Sequence, residues 1–169
     1  MSLCHVPQGT LPFMSMHLLD AWDRNAQVLH TAADDLESFL YIILYICTFT
    51  NGPGLVLAKV SPAIPLRSWF VKTHPSAIGF LKAGHMLRPD ISILPFFPGY
   101  WEDMKPFVEE MIKTCFIENP GQRNHFTHDG MVMILQKAFD TVEEPQMTGS
   151  KRSLQSGDDR LGCAKKGRQ

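Results

Sequence analysis

The sequence predicts a mainly α-helical domain built around one central helix, and three observations lead to this prediction. A continuous apolar run extends from Phe39 to Cys47, two later stretches place apolar residues at helical spacing, and no segment alternates convincingly as a half-buried strand would. Because the run is apolar on every side, its helix is expected to be covered by protein all round. The predicted fold is therefore helical, with no sheet.

Length and composition are those of a single globular domain. The chain has 169 residues, of which 44% are hydrophobic and 20% charged, and this excludes a collagen-like or wholly disordered protein. The longest apolar run is well short of the roughly 18 residues that a membrane span needs. The first eight residues show no signal-peptide pattern. We therefore expect an intracellular protein, cytoplasmic or nuclear, with no membrane partner.

Charge and cysteine are unevenly spread along the chain. The formal net charge is −1, yet residues 146–169 carry six Lys and Arg against two Asp, whereas the part before them has ten basic and fifteen acidic residues. Since this end has almost no core-forming residues, residues 143–169 are expected to be a disordered basic tail, with no clear nucleic-acid site. The four cysteines are far apart and form no CxxC motif, which favours a reducing compartment.

Local signals place the helices. The sequence Thr31-Ala-Ala-Asp34 has the form of a capping box, so the central helix is expected from about Asp34 to Phe49, and the breakers of Asn51-Gly-Pro-Gly54 end it. Loops rich in proline are predicted before residue 77 and after residue 88. The remaining helices are expected at Met16–Asp23, at Ala77–Leu87, from Tyr100 to about Cys115, and at Thr127–Phe139, while Pro89–Gly99 is expected to be a loop.

Three stretches, in this order, resemble the lower, helical lobe of a protein kinase. Residues Gly9-Thr10-Leu11-Pro12-Phe13-Met14-Ser15 resemble the end of the activation segment, and Asp35-Leu36-Glu37-Ser38-Phe39 resembles the start of the central helix. Residues Asn119-Pro120-Gly121-Gln122-Arg123 resemble the turn before the last helix. The combination is similar to the fungal-type protein kinase family over residues 9–140. It implies a kinase-like C-lobe at residues 9–142, after a leader at residues 1–8, with no N-lobe sheet.

The resemblance implies an activity and assigns residues to it. A complete family member would transfer phosphate from ATP, with magnesium, to Ser or Thr of proteins. The residues on the substrate side of the activation segment would be Gly9, Thr10, Phe13, Met14 and Ser15, and those with structural roles Asp35, Ser38 and Arg123. The partner implied is a protein substrate.

The chain departs from a complete kinase in the parts that handle the nucleotide. A Gly-rich loop, a strand lysine, a catalytic-loop aspartate and a metal-binding aspartate are all needed, and none precedes Gly9. We therefore expect this chain alone to have no catalytic residues, no bound ATP or magnesium, and no phosphoryl transfer. Apolar groups that the missing parts would cover are expected to favour association through the exposed face of the lobe.

Several residues have two interpretations. Thr10 could help to recognise substrate or be an exposed loop hydroxyl, and Asp35 could hold a catalytic loop or satisfy the start of the helix. Arg123 resembles an arginine that pairs with a glutamate in most kinases; here His17 stands at that position, so Arg123 is expected to find another acceptor, such as Glu118 or Asp129. His125 and His128 could bind a metal ion or could be surface or capping residues. Trp69 and Trp101 could line a groove or fill the core.

Three functions remain open from the sequence. The first is a protein kinase whose upper lobe lies on another chain or in an unread upstream segment. The second is a non-catalytic module that binds peptides or a partner through the surface around Gly9–Ser15 and the loops near Trp69. The third is a decayed gene fragment without a selected function.

Overall fold

The computed structural model describes residues 9–71, 74–117 and 127–143. These ranges are mainly helical, and the strand-like pairing in them is limited to isolated bridge residues, among them the antiparallel bridge between Thr50 and Val56, so the mainly α fold class is confirmed. The helices are α1 (Met16–Asp23), α2 (Ala32–Phe49), α3 (Pro75–Leu87), α4 (Pro89–Ser92), α5 (Lys105–Ile112) and α6 (His128–Glu143). Short 3-10 helices lie at Leu11–Phe13, Pro65–Phe70, Leu94–Phe96 and Gly99–Met104, and a π-helical turn, Lys113–Ile117, extends α5.

Helix α2 forms where the sequence places it and begins two residues earlier than predicted. The Asp34 carboxylate accepts hydrogen bonds from the backbone N–H of Thr31 at 2.9 Å and from its hydroxyl at 2.8 Å, so the predicted capping box is present. At the other end, Gly52 has φ +109°, a conformation that L side chains rarely adopt. The glycine-rich breaker therefore ends α2 as expected.

The expectation that α2 is covered all round is wrong. One face is buried and contains Leu40, Tyr41, Leu44 and Cys47, each at most 2% exposed. The opposite face leaves Phe39, Ile42 and Ile46 about two-fifths exposed. The physical reason is that the contacts of α2 with α5 and with the 3-10 helix at Leu11–Phe13 come from the buried side. An apolar run shows that a helix can be buried on every side, but the elements that pack against it decide how much of its surface is buried.

The core is formed by helices packed in pairs. Helix α1 packs against α3, α5 packs against α6, and α2 contacts α5 and the 3-10 helix at Leu11–Phe13. Trp69 is 2% exposed, packs edge-on against Tyr41 and donates a 3.0 Å hydrogen bond from Nε1 to Nδ1 of His85, so it is a core residue rather than a groove residue. Trp101 is half-buried and donates to the carbonyl oxygen of Thr50 at 3.0 Å.

Two predicted loops contain helical turns. The stretch Pro89–Gly99 holds α4 and the 3-10 helix at Leu94–Phe96, and the loop before α3 holds the 3-10 helix at Pro65–Phe70. Each of these turns has proline at one of its first two positions. Proline there fixes a helical φ and loses no intrahelical bond, so it starts a turn rather than preventing one.

Some sequence predictions fall outside the described ranges. They include the leader at residues 1–8, the turn at Asn119–Arg123, His125 and the tail beyond Glu143. Within the described ranges, none of the helices has both the length and the hydropathy needed to cross a membrane.

Candidate functional site

The Gly9–Ser15 segment is a tight turn that packs against α2. Its 3-10 helix, Leu11–Phe13, is closed by a 2.8 Å hydrogen bond from the Phe13 N–H to the Thr10 carbonyl. Gly9 has φ +152°, and a Cβ on it would lie 3.1 Å from Cγ of Met14. Glycine is therefore required at the start of this turn by both its backbone and its neighbour.

Aromatic packing fixes the middle of the segment. The Phe13 ring meets the rings of Tyr45 and Phe70 edge-on, with centroids 5.7 and 5.8 Å away, and Met14 is 3% exposed. Thr10, in contrast, is exposed and its side chain makes no capping hydrogen bond. Of its two interpretations, the exposed loop hydroxyl describes its surroundings here.

A buried pair, Ser15 and Asp34, joins the segment to α2. The Ser15 hydroxyl donates to Oδ1 of Asp34 at 2.7 Å and accepts from the Leu18 N–H at 3.2 Å, so it also caps α1. Both residues are at most 1% exposed. Nδ1 of His17 lies 3.3 Å from the same carboxylate oxygen. One carboxylate thus holds the starts of two helices.

Glu37 makes a second attachment one turn further along α2. Its Oε1 accepts from the Met16 N–H at 2.7 Å and from the Tyr41 hydroxyl at 2.6 Å. Burial raises the pKa of Glu37 above 4.5, although both hydrogen bonds act to lower it. The carboxyl group therefore works mainly as a buried acceptor for the first residue of α1.

Lys82 of α3 makes the third attachment and is completely buried. Its Nζ donates to the carbonyl oxygen of Met14 at 2.5 Å and lies 3.7 Å from the centroid of the Tyr41 ring. Burial lowers the pKa of Lys82 from 10.5 to about 7, while the negative charge of Glu37 acts in the other direction. Contact with the face of the Tyr41 ring compensates part of the lost hydration of the ammonium group.

The predicted structural residues divide between this site and the surface. The Ser38 hydroxyl donates to the carbonyl of Asp34 at 2.8 Å, within the helix. The Asp35 side chain is 69% exposed, with Oδ1 3.0 Å from Nε2 of His30. Asp34 rather than Asp35 forms the capping box, while Asp35 lies in the first turn of α2, where a negative charge is favourable. Arg123 lies outside the described residues.

Sequence reasoning missed Tyr41 and Lys82. A signal for Lys82 was present, because Ile78, Lys82 and Met86 follow one another at four-residue spacing on one face of α3, and all three are buried. A lysine in such a stripe must either be paired or lose its charge. Within the described ranges, no group of three or more His, Cys, Asp or Glu side chains is arranged to hold a metal ion.

Comparison with known families finds a likeness to one kinase family in the first part of the chain. Residues 2–47 match the model of the family described as fungal protein kinase. The matched stretch contains the Gly9–Ser15 segment, Asp34, Glu37 and most of α2. No curated protein and no solved structure matches the chain. The resemblance to fungal protein kinases predicted from the sequence is therefore confirmed, and residues 2–47 carry it.

Proposed function

We propose that the chain is the substrate-side helical lobe of a fungal-type protein kinase, and that by itself it does not transfer phosphate. The lobe holds the Gly9–Ser15 segment, which by resemblance lies beside the peptide substrate, in one fixed conformation. The observation that carries this proposal is the attachment of the end of that segment, together with the first residue of α1, by three buried side chains, namely Asp34, Glu37 and Lys82.

The attachments suit a positioning role. Phosphoryl transfer depends almost entirely on positioning and on charge stabilisation, so a segment that lines the substrate has to be held still. Consecutive residues of the chain are held here: the carbonyl of Met14, the hydroxyl of Ser15 and the N–H of Met16. The exposed Thr10 side chain remains free of capping contacts at the outer edge of the turn.

The same side chains are engaged in the fold, which argues against their forming a nucleotide site. Asp34 and Glu37 are buried acceptors of backbone and hydroxyl hydrogens, and Lys82 donates to a backbone carbonyl in the core. The sequence contains no glycine-rich turn that leads into a helix to bind phosphates. This supports a lobe that presents substrate rather than one that binds ATP.

Thermal denaturation with ATP and magnesium tests the catalytic half of the proposal. We expect no nucleotide-dependent rise in Tm, whereas a site filled at 100 times its Kd would add about 2.7 kcal/mol to the free energy of unfolding. A rise in Tm that EDTA abolishes would contradict it.

Hydrogen exchange tests the substrate-side half. A degenerate mixture of Ser- and Thr-centred peptides is expected to slow exchange of backbone amides in residues 9–16, and the matched Ala-centred mixture is expected to do so less. Thr10→Val, which removes an exposed hydroxyl but keeps the shape of the side chain, is expected to reduce the difference. Equal exchange with both mixtures in the wild-type protein would contradict a substrate-side role.

A second candidate function is a non-catalytic interaction module. The observation that favours it is the exposed apolar face of α2 rather than the loops near Trp69, because Trp69 is buried. That face supports a specific inference about association.

A further inference from the structure

One face of α2 presents a charged residue followed by three large apolar residues. We name Asp35, Phe39, Ile42 and Ile46 the α2 stripe. Their spacing of four, three and four residues places them in one line along the helix, about 16 Å long at the α-helical rise. The Asp35 side chain is 69% exposed, and the apolar members are 42%, 40% and 39% exposed. Exposed apolar side chains gathered on one helix face are a candidate interaction surface.

An open groove adjoins the C-terminal half of the stripe. Tyr45 and Phe49 of α2 lie three residues after Ile42 and Ile46 respectively, and both line a groove of about 490 Å³. Its other lining residues are Val56, Val60, Arg67, Phe70 and Val71. The apolar surface of α2 therefore continues into the groove without interruption.

A positive charge lies at this end of the surface. The Arg67 side chain is in the groove, where its guanidinium donates to the carbonyl of Val60 at 3.4 Å. It forms no ion pair with any carboxylate of the described residues. Asp35 at the other end contacts His30, which is itself 45% exposed. The surface is thus acidic at one end, apolar in the middle and basic at the other end.

Because its two ends carry opposite charges, this surface is complementary to the same surface of a second copy rotated by 180°. We propose that two copies of this chain associate through the α2 stripe and its groove, with the two α2 helices antiparallel about a two-fold axis near residues 42 and 43. Phe39 of each copy then faces Ile46 of the other, since both lie equally far from the axis. Asp35 faces the end where Phe49 and Arg67 line the groove, and the two-fold symmetry makes this contact twice.

The charges favour this arrangement over a parallel one. A parallel pairing would bring Asp35 against Asp35 and would leave both Arg67 side chains together, which is unfavourable. The antiparallel pairing instead buries the same apolar residues and places opposite charges at both ends. This inference does not depend on the proposed kinase function, because it uses only the exposed face of α2 and the groove.

Sedimentation velocity of the full chain over a wide range of concentration tests the proposal. The wild-type protein is expected to form a dimer as concentration rises, and Ile42→Asp, which places two carboxylates at the axis, is expected to weaken association by about tenfold or more. Val132→Asp is the matched control, since Val132 is 61% exposed on α6, and it is expected to leave association unchanged. Circular dichroism confirms that each variant is folded.

A charge exchange provides a second test that does not rely on apolar residues. Asp35→Arg and Arg67→Asp are each expected to weaken the dimer, and the double variant is expected to restore it. A wild-type chain that stays monomeric throughout would overturn the proposal. An Ile42→Asp variant that dimerises normally would also overturn it, because the dimer contact would then lie outside the α2 stripe. So would a double variant that fails to recover, because Asp35 and Arg67 would then not face each other.

Discussion

Lys82 of α3 donates a 2.5 Å hydrogen bond to the carbonyl oxygen of Met14, which lies 68 residues earlier in the chain. The bond connects the Gly9–Ser15 segment to a helix that is distant in sequence. It does so with a group that is completely buried and lies 3.7 Å from the centroid of the Tyr41 ring. Because burial lowers the pKa of Lys82 to about 7, this attachment makes stability depend on pH.

The free energy of unfolding is expected to rise with pH between about 7 and 9. Lys82 loses its proton near pH 7 in the folded protein but at about 10.5 in the unfolded chain, so the unfolded chain binds more protons in this range. The slope for one proton is at most about 1.4 kcal/mol per pH unit. Above about pH 9 the raised pKa of Cys47 acts in the opposite direction.

Urea denaturation over this pH range measures the effect. The variant Lys82→Met keeps an unbranched side chain, one atom shorter, and removes the titrating group, so its free energy of unfolding is expected to rise much less with pH. An equal rise in the variant would show that Lys82 is not the source.

Removing the Ser15 hydroxyl is expected to destabilise the fold. Ser15→Ala takes one donor from the buried Asp34 carboxylate and leaves the Leu18 N–H without its cap, at a cost of about 1–3 kcal/mol. Ser61→Ala is the control, since its hydroxyl accepts a bond from an exposed turn amide and its loss is expected to cost about 0.5 kcal/mol or less. Equal midpoints of denaturation for both variants would contradict the role of Ser15.

Truncations along α2 are expected to separate its two faces. Leu40→Ala should cost about 2–5 kcal/mol because Leu40 is fully buried, whereas Ile42→Ala on the exposed face should cost about 1 kcal/mol or less. Ile43 is half-buried, and its truncation is expected to fall between these values. Chemical denaturation of the isolated chain, at a concentration where it is monomeric, measures all three. Similar losses at positions 40 and 42 would mean that α2 is covered on both faces.

Glu37 is expected to lower stability as pH rises above about 4.5. Its pKa is raised in the folded protein, so the folded chain binds more protons than the unfolded one and the free energy of unfolding falls as pH rises through the folded value. Glu37→Gln keeps an acceptor for the Met16 N–H and the Tyr41 hydroxyl but does not titrate. Denaturation at increasing pH is therefore expected to show a smaller fall in this variant, and an unchanged fall would exclude Glu37 as its cause.

The helices could be predicted from the sequence because their signals are local. The capping box at Thr31 and Asp34, the apolar run that follows and the breakers at Asn51–Gly54 all act within a few residues, so α2 forms close to its predicted bounds. The bounds of α1 were predicted without error for the same reason. The resemblance of the Gly9–Ser15 segment to a kinase family was also readable, since a turn of this kind depends on a short run of residues such as Gly9 and Phe13.

Tertiary structure alone decided which side chains meet and which face remains open. Asp34 and Asp35 are neighbours in the sequence, yet one is buried against Ser15 and the other is exposed, because the start of α1 meets α2 on the side that carries Asp34. Lys82 became part of the site only when α3 packed against the Gly9–Ser15 segment. The exposure of Ile42 likewise depends on where other helices lie. Burial arises from contacts between residues far apart in the chain, and a local pattern records only which residues could take part in them.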